Sequence, residues 1–138
     1  MLGPGVMRCT GRLLPWQLER RIDIEDSVYV EYVYTNVGAD PHRAFWCAHP
    51  LFKYEPVLGV EVAEGTSTKL FLPSGYVDNV KLLRVEISWD SLLLPDVAIW
   101  MCNGDLGGYR QIAVEPSWTR ESLGPGEIYS WWLRITAL

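Results

Sequence analysis

Polar and apolar side chains alternate with a period of two from Gln17 onward. Arg21-Ile22-Asp23-Ile24-Glu25 sets charge against β-branched residues, the pattern of a strand with one wet face. After Asp26-Ser27, the run Val28 to Asn36 is dense in β-formers and throws Val28, Val30, Tyr32 and Tyr34 to one side, so it pairs naturally with the preceding strand as a hairpin. Gly38-Ala39-Asp40-Pro41 breaks the run. Short strands are then expected at Ala44 to His49, ended by Pro50, at Val57 to Val62, and at Lys69 to Leu72. Lys81 to Ser88 fits either period and is assigned to strand. Val97 to Cys102 is apolar nearly throughout, as suits a strand covered on both faces. Gly104 to Gly108 forms a turn, Arg110 to Glu115 another strand, and Gly124-Pro125-Gly126 leads into a last strand, Ile128 to Leu138, with Tyr129, Trp131, Leu133, Ile135 and Ala137 on one face. No capped helix, repeat or low-complexity linker emerges. Eight or nine short strands over residues 1–138 point to one all-β domain, an antiparallel β-sandwich.

Composition narrows the function. A chain of 138 residues with 49% hydrophobic content can build a core of its own, and 12 Gly, 9 Pro and 7 Trp supply turns and large flat rings. A net charge of −5 offers no broad basic surface, so neither nucleic acid nor an anionic membrane is expected as a partner. Cys9, Cys47 and Cys102 are odd in number and lack C-x-x-C spacing, which predicts buried free thiols in a reducing compartment. With no signal-like or membrane-spanning apolar stretch, the expected location is the cytoplasm.

Motifs for phosphate, dinucleotide or zinc-protease chemistry and for a serine nucleophile are missing. His42 and His49 are the only histidines, too few for a metal site without an obvious third ligand, so no metal or organic cofactor is expected. Two residues stand out by context. His49 follows Phe45-Trp46-Cys47-Ala48 and precedes Pro50-Leu51-Phe52, placing an imidazole at the end of an apolar strand. Glu115 follows Ile112-Ala113-Val114 and precedes Pro116, placing a carboxylate at the end of another. Trp46, Trp100, Tyr109 and Trp118, with Asn103, are candidate sugar contacts, since pyranose faces stack on flat rings while hydroxyls meet polar groups; the same rings would also serve an ordinary core.

Four landmarks occur in order: Tyr32-Val33-Tyr34-Thr35-Asn36, His49-Pro50-Leu51-Phe52, Ala113-Val114-Glu115-Pro116 and Leu123-Gly124-Pro125-Gly126-Glu127. Together they resemble the C-terminal half of the aldose 1-epimerase, or galactose mutarotase-like, family. The resemblance implies a partial supersandwich fold and a small-molecule sugar substrate. It also implies a mechanism in which Glu115 takes the proton from the anomeric hydroxyl and His49 protonates the ring oxygen, opening the pyranose. Full members of that family are about twice as long, and their N-terminal half supplies an Arg and another His to the site. Asp78, Asp90, Asp96 and Asp105 all remain open as the family's further acidic residue. A homodimer or a missing N-terminal half is the expected completion. A non-catalytic carbohydrate-binding module and an interaction domain are the alternatives.

Overall fold

The computed structural model describes residues 5–75 and 77–138; the start of the glycine- and proline-bearing N-terminal stretch lies outside them. Eleven strands follow one another: β1 (Gly5–Thr10), β2 (Trp16–Ile24), β3 (Ser27–Asn36), β4 (His42–Cys47), β5 (Leu51–Lys53), β6 (Thr66–Leu72), β7 (Asn79–Lys81), β8 (Val85–Trp89), β9 (Asp96–Asn103), β10 (Arg110–Leu123) and β11 (Ile128–Ala137). They form two antiparallel sheets, one ordered β1-β2-β3-β11-β8-β7 and the other β4-β10-β9-β6, with β5 also on β10. The all-β sandwich expected from the alternation is the observed architecture, and no helix occurs among the described residues.

Alternation decides which side chains fill the space between the sheets. Val30 and Tyr34 of β3, Trp131 and Leu133 of β11, Ile99 and Met101 of β9, and Ile112, Val114 and Trp118 of β10 are buried there. Trp118 meets Tyr34, Tyr129 and Trp131 at centroid distances of 5.7, 4.9 and 5.1 Å, mostly edge to face, the arrangement that ring quadrupoles favour. The central strand β9 is covered along most of its length, as its unbroken apolar run requires.

Three local expectations need correction, and one strand, β1, lies before the segments read from sequence and pairs with β2. Val57 to Val62 is not a strand: Val57 and Val60 exchange backbone hydrogen bonds of 3.2 and 2.9 Å around Leu58-Gly59, whose φ values of 52° and 74° make a tight turn. The Lys81 to Ser88 segment is two strands, because Leu82 N–H bonds Val85 C=O and turns β7 back on β8. The strand carrying Glu115 does not stop at Pro116 but runs to Leu123. Pro116 C=O accepts from Ala48 N–H, so its nitrogen faces the same side, where the chain steps out of pairing between β4 and β5. No ladder donor is lost there, and proline is tolerated in mid-strand.

The four sequence landmarks fall into two pairs in space. Asn36, fully buried, donates through Nδ2 to the carbonyls of Asp40 and Leu123 and accepts from Gly38 N–H, while its backbone bonds Glu127 and Gly126. The Thr35-Asn36 and Leu123 to Glu127 segments therefore lock each other at one end of the molecule. The other two landmarks meet elsewhere, around Glu115.

Candidate functional site

Register across the five-stranded sheet builds the site. Phe71, Ala98 and Glu115 are cross-strand partners, and so are Lys69, Trp100, Ala113 and Leu51. These residues share the face turned away from the core, because their neighbours Leu70, Ile99 and Val114 point inward. Two small side chains, Ala98 and Ala113, leave room in the middle of this face. Lys69 reaches over Ala98 to place Nζ 2.6 Å from Glu115 Oε2. From the other side, His49 sits in the step between β4 and β5 with Nδ1 2.7 Å from Glu115 Oε1.

The two residues singled out from sequence, 66 positions apart, are thus in direct contact. Their exposures differ: the Glu115 side chain is 5% exposed and that of His49 53%. Glu115 is a mid-strand carboxylate with both oxygens engaged by donors, which offsets the cost of its burial. The His49 ring lies 5.6 Å from Trp100 at 33°, with the indole as a wall behind it. Burial, then the Glu115 charge, pushes the Cys47 thiol up to about 11, with the Lys69 ammonium acting in the opposite sense.

A shallow hollow of about 390 Å³ opens beside the Lys69–Glu115 ion pair, lined by Phe45, Lys69, Phe71, Asp96, Glu115 and Ser117 among others, whereas His49 borders a separate cavity of about 500 Å³ on its other side. Phe45 and Phe71 flank the hollow at 65% and 79% exposure, flat apolar rings in water beside buried charge. Of the expected sugar contacts, Trp100 joins the site through His49. Trp46 lines the same separate cavity as His49, and the remaining three lie elsewhere. Trp46 turns inward, 4.7 Å from Tyr32 and 4.8 Å from Trp131, because Phe45 and Cys47 take the outward positions of β4. Trp118 is 1% exposed in the core. Asn103 donates to Val62 C=O at the far end of β9, five residues or about 17 Å beyond Ala98. Tyr109 stands exposed in the turn before β10, about 20 Å along that strand from Glu115.

Sequence reasoning missed Lys69, Phe45 and Phe71. All three sit in alternating segments where the phase, once anchored by inward Leu70 and Trp46, turns them outward. Of the four open aspartates, Asp96 alone lines the hollow. Cys102 is buried as expected, whereas Cys47 is half-buried and Cys9 is exposed on β1. Among the described residues, no group of three or more His, Cys, Asp or Glu side chains is arranged to hold a metal ion, and no helix is long and apolar enough to cross a membrane.

The fold has counterparts among solved structures. A candidate aldose 1-epimerase from Klebsiella pneumoniae superposes with a TM-score of 0.66 over 98% of this chain at 17% identity. A Synechocystis protein gives 0.69 over 99% at 13% identity, and a galactose mutarotase related enzyme from Lactobacillus acidophilus gives 0.61 over 96% at 10%. The chain spans 50% of the first of these and 66% of each of the others. No protein-family profile and no curated protein sequence matches it. The fold is that of the galactose mutarotase-like sandwich.

Proposed function

We propose that this chain binds a free hexose over the outer face of its five-stranded sheet and interconverts the sugar's anomers by acid–base ring opening. The observation that carries the reading is the 2.7 Å contact between His49 and Glu115, with Glu115 in the wall of an open hollow. Mutarotation needs one proton removed from the anomeric hydroxyl and one delivered to the ring oxygen, and an imidazole paired with a carboxylate offers a group for each transfer. Phe45 and Phe71 supply flat faces for the C–H side of a pyranose, while Asp96 and Ser117 offer polar atoms to its hydroxyls. The resemblance in sequence and the shared fold support the same chemistry, which requires no cofactor.

The test follows anomer interconversion of fresh aldoses by polarimetry or NMR for the wild type, Glu115→Gln and His49→Asn. The wild type is expected to exceed the buffer rate, with a loss on the order of 100-fold or more in each variant. Equal rates at the buffer background for all three would reject catalysis. Sugar-dependent chemical-shift changes without turnover would instead leave a carbohydrate-binding module.

A further inference from the structure

We infer that the cavity of about 500 Å³ on the open side of the sandwich is a binding site for a small carboxylate with an apolar body, and that Arg20 takes the carboxylate. This cavity lies between the two sheets, apart from the outer face on which the sugar is proposed to bind. Register puts the cation there. Met7 of β1, Arg20 of β2, Tyr32 of β3 and Trp131 of β11 are successive cross-strand partners, so they share one face of the six-stranded sheet. That face is the inner one, because Trp131 is buried and Tyr32 packs 4.7 Å from Trp46 of the opposite sheet. Arg20 therefore points between the sheets. The opposite sheet ends at β4 on this side, so β1 and β2 extend past it, and the space they leave is the cavity. Leu18, Val30, Tyr32, Trp46, Leu133 and Ile135 wall it, an apolar surround in a volume usual for small-molecule sites.

Charge then selects the ligand. Arg8, Arg20 and His49 border the cavity, and none of its lining residues is acidic. Two of the three already have partners: Arg8 pairs with Glu19 at 3.0 Å and His49 with Glu115 at 2.7 Å. Arg20 makes no ion pair among the described residues. Its half-buried guanidinium meets the Met7 sulfur at 2.7 Å instead, and a thioether is a weak acceptor. Burial raises the Tyr32 phenol and the Arg20 charge acts against that rise, so hydroxyl and guanidinium stand side by side. The planar fork of N–H donors is filled best by a carboxylate, through two parallel hydrogen bonds. One unpaired guanidinium among apolar walls suits a monoanion, whereas a phosphate dianion would bring a second charge with no second unpaired guanidinium to meet it. Inward-pointing charges also guard exposed sheet edges, but the edge strand here is β1, and Arg20 lies one strand inside it.

Octanoate supplies charge and body together, octanamide the body without the charge, and acetate the charge without the body. Each is titrated into the wild type and followed by NMR. Octanoate is expected to shift the Arg20 Nε–H, Met7 methyl and Trp46 indole signals together and to saturate, with octanamide and acetate each binding at least about 10-fold more weakly. Arg20→Met keeps an unbranched apolar stem. It is expected to lower octanoate affinity roughly 10-fold or more while leaving octanamide unchanged, and Arg20→Lys to recover part of the loss. Octanamide that binds the wild type as tightly as octanoate, an Arg20→Met protein that binds octanoate as the wild type does, or shifts centred on Phe45 and Phe71 of the outer hollow would each overturn the inference. So would Met7 and Trp46 signals that follow protein concentration and ignore octanoate, which would give the cavity to a second copy of the chain. If Arg20→Met does not fold, octanoate against octanamide on the wild type decides by itself. Anomer exchange enters none of these measurements, so the sugar proposal and this one fail separately.

Discussion

Asn36 makes three side-chain hydrogen bonds in a position with no solvent access, two to carbonyls from segments far apart in the chain. Asn36→Ala strands those carbonyls and the Gly38 N–H, and a loss of about 3 kcal/mol is expected by urea unfolding, with the His49 ring signals unmoved in the folded fraction. Cys47 gives a second expectation. Its thiol is raised from 9.0 to about 11, chiefly by burial and then by Glu115, while Lys69 lowers it. Iodoacetamide should therefore label exposed Cys9 well before Cys47 at pH 8. At pH 9 the Cys47 labelling rate should fall in the order Glu115→Gln, wild type, Lys69→Met, because the first change removes a raising charge and the last a lowering one. The reverse order would contradict the electrostatics. The same shift bears on stability. The unfolded chain ionises this thiol near its ordinary 9.0, so the contribution is fully present below that pH and is lost as pH rises through about 11.

Elements were legible where alternation was strict. β3 and β11 carry their inward faces as the sequence pattern requires, and the His49 and Glu115 landmarks could be read because each couples a titratable side chain to an apolar run. Lys69 could not be singled out: a lysine in an alternating strand normally reads as a solvated position, and only its place on the same sheet face, one pair along from Phe71, Ala98 and Glu115, turns it into a partner. On β4 Trp46 takes the inward phase and Phe45 the outward one, since one residue along a strand exchanges the two faces. Pro116 misled because its nitrogen happens to face the unpaired step between β4 and β5. The Val57–Val60 turn was hidden by Leu58, which occupies the left-handed region that two-residue hairpins usually give to Asn, Asp or Gly. Leu58→Asn restores Asn-Gly to that turn. A gain of about 0.5–1 kcal/mol is expected, read as a higher midpoint in urea, and a loss would show that the exposed Leu58 side chain contributes more than its backbone strain costs.

At the scale of the whole molecule the two sheets do not end together. All six residues of β1 are exposed on the outer edge of the six-stranded sheet, with Val6 and Met7 at 57% and 59%. Met7, Arg8 and Cys9 face the Cys47 to Pro50 segment of the other sheet across a cavity of about 500 Å³ that also touches Tyr32, Trp46 and Leu133. One side of the sandwich is therefore open, bordered by an unpaired edge strand with apolar side chains. Such an edge is a template for strand pairing, and a second copy of this chain would both extend the sheet and cover the cavity mouth. Sedimentation equilibrium is expected to show a mass rising from monomer toward dimer with concentration. Val6→Lys combined with Met7→Lys should hold the protein at the monomer mass, since paired strands would bring these lysines together. A double variant that associates as the wild type does would place the contact on another edge of the sandwich.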